Sequence, residues 1–262
     1  MCRLLMFTGR LDNAMLRVML FNQLMLLGQA EGQDDGAGVT DGSTICKSGL
    51  VYTAAGLRWL PKLDPKLPWM GHVRKASKGT QRPSYTASHP YYFSESGLIG
   101  AHNGFITLTG SAKEGEPDVD SWRALNRLSQ LIGPGKEITG HILNTWISGF
   151  GPYSEWAFML LHKDTAWIVR GTRTMFWMRF ADGHIFCTSY NALQLFQNWY
   201  HLFWGEGAGL GRIKEMDMHR AVRIGLDNKP VWTTLSAREQ VDEIIPERYY
   251  ELSNGHEQLH LI

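Results

Sequence analysis

A cysteine follows the first methionine in the opening stretch "MCRLL". Alone, a cysteine in an apolar run is more often a small buried residue than a nucleophile. Removal of Met1 would give Cys2 a thiol and a free α-amine on the same residue. The amine titrates at about pH 8, close to the thiol, so it can accept the thiol proton and return it later. Cys2 is therefore a candidate for a nucleophile that carries its own base.

Other polar residues with chemical potential stand in or beside short apolar runs. They are Arg74 in "GHVRKAS", Asn103 and Gly104 in "GAHNGFI", and Asp120 in "VDSW". Each has an ordinary interpretation: a surface arginine, a turn asparagine before glycine, and a helix N-cap. Functional residues often lie where strands end, so the joint occurrence of these residues carries more weight than any one of them.

Two further motif matches are rejected. The stretch "HEQLH", His256 to His260, has the H-E-x-x-H spacing of zinc proteases, but it follows "SNG", which ends a helix. The stretch "GPGKE" resembles a phosphate loop, but Glu137 follows Lys136 and would repel phosphate. A stop between two helices explains it better. We expect no metal and no cofactor.

Composition excludes several classes of protein. The 262 residues include 26 basic and 25 acidic side chains, which is not the charge balance of a nucleic-acid or anionic-membrane binder. No apolar run approaches the roughly 20 residues that span a bilayer, and no signal peptide is evident. The three cysteines are odd in number and widely separated, which argues against a disulfide framework. We expect a cytoplasmic protein that binds neither nucleic acid nor membrane.

The elements that must position these residues follow from hydrophobic periodicity and turn residues. We expect a mixture of antiparallel strands and helices, an α+β fold in one domain, 1–262, with a core of about 2–200 and an extension of about 201–262. The expected elements are a strand in "RLLMFTG", a helix capped by Asp12 or Asn13, a loop in "GQDDGAGVTDG", strands in "STICKSGLVYTA", "MGHVRKAS" and "SGLIGAHNGFI", helices in "DSWRALNRLSQLI" and "EITGHILNTWISGF", a β-meander of four runs from "WAFMLLH" to "HIFCTS", and a helix beginning at Ser236.

The order of these motifs resembles the class II glutamine amidotransferase family. The resemblance covers roughly the first 195 residues: an N-terminal cysteine and strand, "DDGAG", "GHVRKAS", "SHP", "GAHNGFI", an Asp-Ser pair opening a helix, "WAFMLLHKDTAWIVRGT" and "GHIFCTSYNAL". It implies a four-layer αββα sandwich of the N-terminal-nucleophile hydrolase type, with L-glutamine as the substrate.

The resemblance also implies roles for the candidate residues. The Asn103 side-chain amide and the Gly104 backbone N–H would form an oxyanion hole, in which one donor is worth about 3 kcal/mol of barrier. Arg74 would bind the α-carboxylate of glutamine, with the Ser77 hydroxyl as a second contact, and Asp120 would receive the α-ammonium.

The sequence also departs from the family pattern. Lys75, Lys78 and Trp122 replace residue types that are common in the family, which puts glutamine affinity and loop closure in question. Asp118 lies close enough in the sequence to compete with Asp120 for the ammonium. None of these departures removes a catalytic group.

Three functional hypotheses follow. The first is a glutaminase that forms a Cys2 thioester and passes ammonia to a separately encoded synthetase, with the stretch 195–214 as part of the docking surface. The second is an amidase of the same fold that acts on another γ-glutamyl or acyl amide. The third is a catalytically idle binding module that retains the fold.

Overall fold

Two antiparallel sheets and four helices make up the part of the chain described by the computed structural model. That part covers residues 2–9, 14–30, 35–49, 52, 58–75, 85–108, 119–180, 182–205 and 209–236. The helices are α1 (Ala14–Ala30), α2 (Asp120–Ile132), α3 (Gly140–Ile147) and α4 (Tyr190–Trp204). The strands are β1 (Arg3–Phe7), β2 (Ala37–Thr40), β3 (Ile45–Ser48), β4 (Trp69–Val73), β5 (Tyr91–Phe93), β6 (Leu98–Phe105), β7 (Glu155–His162), β8 (Thr165–Arg170), β9 (Phe176–Phe180), β10 (Gly183–Cys187), β11 (Lys214–Glu215), β12 (Arg220–Ile224) and β13 (Pro230–Thr234).

The strands divide into a seven-stranded and a six-stranded sheet. The first sheet has the order β11-β9-β10-β1-β4-β2-β3, and the second has the order β13-β12-β8-β7-β6-β5. The N-terminal strand β1 lies inside the first sheet, between β10 and β4. Its start is therefore held by backbone hydrogen bonds to neighbouring strands.

Three apolar layers separate the sheets and helices. Side chains alternate between the two faces of each strand, and β1 shows this: Leu4 and Met6 enter the layer between the sheets, whereas Leu5 and Phe7 pack toward the helices. The helices α1 and α4 cover the outer face of the first sheet, and α2 and α3 cover that of the second. The predicted four-layer αββα arrangement is confirmed.

Two of the expected local features are wrong. The stretch predicted as a loop contains β2, which pairs with both β3 and β4. The four runs predicted as one meander form two hairpins in different sheets: β7 pairs with β8 in the second sheet, and β9 pairs with β10 in the first. Short apolar strands look alike in sequence, so long-range pairing decides which sheet each one joins.

Arg17 of α1 is fully buried and ties three chain segments together. Its guanidinium donates hydrogen bonds to the carbonyl oxygens of Gly9 at 2.6 Å, Pro65 at 2.5 Å and Leu67. It also lies over the Phe7 and Trp69 rings, 5.1 and 4.7 Å from their centroids. Burial lowers the pKa of Arg17 to about 10, so the side chain stays charged at neutral pH. The carbonyl bonds and ring contacts compensate for its desolvation.

The aromatic stretch 195–214 serves the core and the surface at once. Phe196 and Tyr200 pack into the core beneath the first sheet, whereas Leu195, Leu202 and Phe203 are exposed by 53%, 79% and 63%. The structure therefore leaves an apolar outer face on α4, and docking there stays a prediction.

The later part of the chain also contributes to the sheets. Strands β12 and β13, in the expected C-terminal extension, pair with each other, and β12 pairs with β8. The expected helix from Ser236, the "HEQLH" stretch and both proposed caps of α1 lie wholly or mainly outside the described residues. Within the described part, no helix has both the length and the apolar character needed to cross a membrane.

Candidate active site

Cys2 lies at the start of β1, beside the end of β4. The pairing of β1 with β4 runs from Phe7 opposite Trp69 to Arg3 opposite Val73, which brings Cys2 to the residues after β4. The backbone N–H of Lys75 donates to the Cys2 sulfur at 3.4 Å, and the sulfur lies 3.5 Å from the Lys75 carbonyl oxygen. Strand alternation gives Cys2 the same side as Leu4, which faces the second sheet.

The thiol of Cys2 needs a base in this environment. Cys2 is partly exposed as a whole residue, but protein atoms crowd its sulfur. Burial raises the pKa of the Cys2 thiol, while the Lys75 N–H and the Arg74 charge lower it and the Asp120 charge raises it. Because burial is the largest of these effects, the thiol is mostly protonated at neutral pH. Arg74 and Asp120 are thus two of the charged groups whose electrostatic effect reaches the sulfur.

Arg74 is fixed by the "DDGAG" stretch. Its backbone N–H donates to the Gly36 carbonyl at 2.7 Å, and its own carbonyl accepts from the Asp35 N–H at 3.1 Å. Its Nη1 donates to the Asp35 carbonyl at 3.2 Å, and Arg74 is only 5% exposed. A Cβ on Gly38 would overlap the carbonyl oxygen of His89, so glycine at this position of β2 lets the backbone around His89 pass close to the strand. The motif thus holds one cation in the site.

Asn103 and Gly104 lie near the end of β6, across the sandwich from β1. Asn103 is buried, and no described residue bonds to its Oδ1 atom. By alternation it shares a face with Ala101 in the layer between the sheets. Gly104 has φ +130°, and a Cβ there would overlap the carbonyl oxygen of Glu155. Only glycine fits this position without strain.

Asp120 is the first residue of α2 rather than its N-cap, which is Val119. Its Oδ2 accepts the backbone N–H of Ile106 at 2.8 Å, just beyond β6. Its Oδ1 accepts the N–H of Ser121 at 2.7 Å and the hydroxyl of Ser121 at 3.2 Å. The carboxylate therefore joins the start of α2 to the end of the strand that carries Asn103.

A group of buried rings adjoins these residues. The ring centroids of His72 and His89 are 4.2 Å apart, and those of His89 and Tyr91 are 4.6 Å apart. Among the described residues, no hydrogen bond of normal geometry reaches the ring nitrogens of these histidines or the Tyr91 hydroxyl, although the His102 backbone lies near enough to His72 to raise its pKa slightly. Buried polar atoms of this kind are normally satisfied by ordered water. The rings therefore form a polar region within an otherwise apolar layer.

Burial keeps the histidines neutral. It lowers the pKa of His72 to about 3 and that of His102 to about 4, and it lowers the pKa of His89 well below the usual value. The Arg74 charge acts in the same direction on His72 and His89. A second cation beside Arg74 is thereby avoided.

Not every candidate falls within the described chain. Ser77, Lys78 and Asp118 lie outside it, so their roles stay predictions. The sequence analysis did not single out His72, His89, Tyr91, His102 and Ser121, which surround the candidate residues. The available signal was their position: four of them lie inside the quoted motifs "GHVRKAS", "SHP", "HNG" and "DS", and Tyr91 directly follows "SHP".

The described residues contain no group of three or more His, Cys, Asp or Glu side chains able to hold a metal ion.

Solved structures with the same architecture are class II glutamine amidotransferases and related proteins. Glutamine phosphoribosylpyrophosphate amidotransferase from B. subtilis superposes with a TM-score of 0.60 at 14% identity, over 91% of this chain and 50% of that one. A structure described as the allosteric regulatory enzyme of purine biosynthesis gives 0.63 at 15% identity, with the same coverages. A glutamine aminotransferase class-II domain protein from Silicibacter pomeroyi gives 0.50 at 13% identity, over 77% and 91%.

The chain has the fold of the class II glutamine amidotransferases. It spans about half the length of the first two structures. Neither a family sequence model nor a curated protein matches the sequence. At these identities the likeness shows the amidotransferase fold alone, and the roles of individual residues rest on the site itself.

The buried histidines predict an acid-sensitive fold. Each has a folded-state pKa far below the unfolded value of about 6.5, so the unfolded chain binds more protons below that pH. Their stabilisation is complete above pH 6.5 and is lost as the pH falls toward 4. Each should add about 1 kcal/mol per pH unit to the slope of the unfolding free energy between pH 6 and 5.

Urea unfolding at several pH values measures this slope. His89→Asn should reduce the slope by the contribution of one histidine. Equal slopes for wild type and His89→Asn would show that His89 is not held neutral.

Proposed function

We propose that this chain hydrolyses the side-chain amide of L-glutamine through a Cys2 thioester. The observation that carries the proposal is the position of the Cys2 sulfur at the Lys75 N–H, within electrostatic influence of both Arg74 and Asp120. A nucleophile, a buried cation and a carboxylate thus meet where the amino-acid end and the amide of one substrate can be bound together.

The base in this proposal is the α-amine of Cys2 itself. Because burial raises the thiol pKa, the thiol needs a proton acceptor at neutral pH. Removal of Met1 converts a non-basic amide nitrogen into an amine that titrates at about pH 8. The amine takes the thiol proton as sulfur attacks the amide carbon, and it then protonates the departing nitrogen, which leaves as ammonia. Water attacks the thioester, releases glutamate and restores the thiol.

The other residues each contact a different group of the substrate. The Arg74 guanidinium binds the α-carboxylate, and the Asp120 carboxylate binds the α-ammonium. The Asn103 side-chain amide and the Gly104 N–H stabilise the oxyanion that forms during attack. Ser77 is a further proposed contact to the α-carboxylate. A substrate without both charged groups would leave Arg74 and Asp120 without a role, which favours glutamine over a simple acyl amide.

Ammonia acceptance is proposed to lie outside these 262 residues. The first two similar structures include a phosphoribosylpyrophosphate amidotransferase, and this chain spans half the length of each. We propose that a separately encoded synthetase receives the ammonia in the cytoplasm, with the exposed apolar face of α4 in its docking surface. Clustered aromatic and apolar side chains are typical of interface centres.

The first prediction concerns the nucleophile. Intact mass should show a mature chain that begins at Cys2, and Cys2→Ala should abolish glutamate release while the far-ultraviolet circular dichroism spectrum stays unchanged. A diazo-ketone analogue of glutamine should label Cys2 and spare Cys46 and Cys187. Turnover by the alanine variant, or by protein shown to retain Met1, would contradict the mechanism.

The second prediction separates binding from chemistry. Arg74→Ala should raise KM roughly 10- to 100-fold with little change in kcat, because the carboxylate contact already exists in the ground state. Asn103→Ala should lower kcat roughly 100-fold or more, because its contact strengthens as the oxyanion forms. Arg74→Lys is the matched control, because lysine keeps the positive charge but cannot make the bidentate contact to the α-carboxylate of glutamine. An unchanged kcat in Asn103→Ala would remove Asn103 from the oxyanion hole.

The third prediction concerns the acceptor. A pull-down from the native host should recover an ATP-using synthetase that raises glutaminase activity, because partner binding would promote loop closure over Cys2. Leu202→Asp should weaken recovery, whereas Leu226→Asp, at another exposed leucine, should not. Full-rate hydrolysis by the isolated chain, unaffected by any recovered protein, would identify a simple glutaminase.

A further inference from the structure

Three side chains form a hydrogen-bonded row behind the candidate ammonium site. The Nδ1 atom of His102 lies 3.0 Å from the Ser121 hydroxyl oxygen, and that hydroxyl donates to Oδ1 of Asp120 at 3.2 Å. His102 and Ser121 are 2% and 4% exposed. The row therefore runs from the buried face of β6 to the carboxylate at the start of α2.

The direction of these hydrogen bonds follows from the charge at one end. The Asp120 carboxylate can only accept, so the single hydroxyl proton of Ser121 is directed to it. Ser121 can then bond to His102 only by accepting, which requires the proton of the neutral imidazole to be on Nδ1. The reverse arrangement would leave two acceptor oxygens facing each other at 3.2 Å.

The surroundings of His102 agree with a neutral ring. Burial lowers its pKa to about 4; the Asp120 charge opposes this effect, the Arg173 charge adds to it, and the Glu155 carbonyl opposes it weakly. Nε2 has no hydrogen bond of normal geometry with any described residue, the Glu155 carbonyl included. The ring also packs against Phe158, with centroids 4.6 Å apart. It is thus fixed on one face and bonded at one nitrogen.

The row joins the strand that carries Asn103 to the helix that carries Asp120. His102 directly precedes Asn103, and alternation turns these two side chains to opposite faces of β6. Asp120 also accepts from the Ile106 N–H, three residues beyond Asn103. The carboxylate is consequently held from both elements: three of its roughly four lone-pair sites accept these hydrogen bonds, and about one is left for a cation.

We propose that His102 and Ser121 are positioning residues that orient the Asp120 carboxylate toward the α-ammonium of glutamine. This inference rests on the proposed function and deepens it. Neither residue touches the substrate; each acts through Asp120.

Paired variants test this role. Ser121→Ala and His102→Leu should raise KM for glutamine about tenfold and leave kcat within about twofold, because they loosen a ground-state contact. Ser121→Thr keeps the hydroxyl and His102→Asn keeps a donor near the Nδ1 position, so both should restore most of the affinity. Ser129→Ala is the matched control: it removes another buried hydroxyl of α2, bonded to Ser96 at 2.9 Å, and should leave KM unchanged.

A substrate analogue separates positioning from general damage. In 4-carbamoylbutanoate the α-ammonium is missing, so Asp120 has nothing to bind. Its KM, or its inhibition constant, should be the same for wild type and Ser121→Ala. An equal loss for glutamine and the analogue would overturn the proposal and indicate a structural role.

The double variant tests whether the row works as a unit. Ser121→Ala already disconnects His102 from Asp120, so adding His102→Leu should raise KM by clearly less than the product of the two single effects. Fully multiplicative effects on KM would show that His102 and Ser121 act separately, and they would overturn the proposal that the two residues act as a unit on Asp120.

Nitrogen-15 NMR of the histidine imidazoles shows which ring nitrogen of His102 carries the proton, and it needs no substrate. His102 should carry its proton on Nδ1 at pH 7 in wild type, and Ser121→Ala should shift that signal. A proton on Nε2 would identify the Glu155 carbonyl as the hydrogen-bond partner of His102. That result would overturn the inference regardless of the measured glutaminase activity. A wild type with the Nδ1 proton but no glutamine hydrolysis would instead refute the proposed function, and with it the substrate assigned to the row.

Discussion

The antiparallel pairing of β1 with β4 is the constraint on which the site depends. It aligns Arg3 with Val73 and thereby brings Cys2 beside Lys75, whose backbone N–H donates to the Cys2 sulfur. Since β1 lies between two other strands of its sheet, its start has little freedom to move. The proposed mechanism needs the Cys2 thiol and α-amine in one place, and this pairing fixes the position of Cys2.

The second sheet supplies what the first lacks. β1 and β4 bring a thiol and a cation, whereas β6 and the start of α2 bring an amide, a glycine N–H and a carboxylate. The layer between the sheets is largely apolar, so electrostatic interactions within it are stronger than in water. The same low polarity explains why the neighbouring histidines are held neutral.

Much of the fold could be predicted from sequence because its elements are locally encoded. Helix α2 repeats apolar residues at helical spacing, and β6 ends in polar residues after an apolar run. β2 was missed because "GAGVT" is glycine-rich, and its strand conformation depends on pairing with β3 and β4. The assignment of the β7–β8 and β9–β10 hairpins to different sheets was missed for the same reason: it depends on pairing with distant strands, which the sequence of a single hairpin does not specify.

The candidate site divides in a similar way. Cys2 was proposed from its own chemistry, and Arg74, Asn103, Gly104 and Asp120 were proposed from motif order. His102 and Ser121 stand beside two of these residues, but nothing in the sequence says that they touch. Their contact depends on the approach of α2 to β6, which only the folded chain shows.

The buried Arg17 helps to fix the register of β1, the strand that Cys2 precedes. A slip of β1 by one residue would turn the Cys2 side chain to the opposite face of the sheet, and a slip by two would displace it by roughly 7 Å. Either slip would move the Gly9 carbonyl, just beyond the far end of the strand, away from the guanidinium that binds it. The contact between Arg17 and the Gly9 carbonyl has no part in the chemistry, but it helps to fix the register of β1. It thus disfavours the alternative alignments in which Cys2 would lie away from the site.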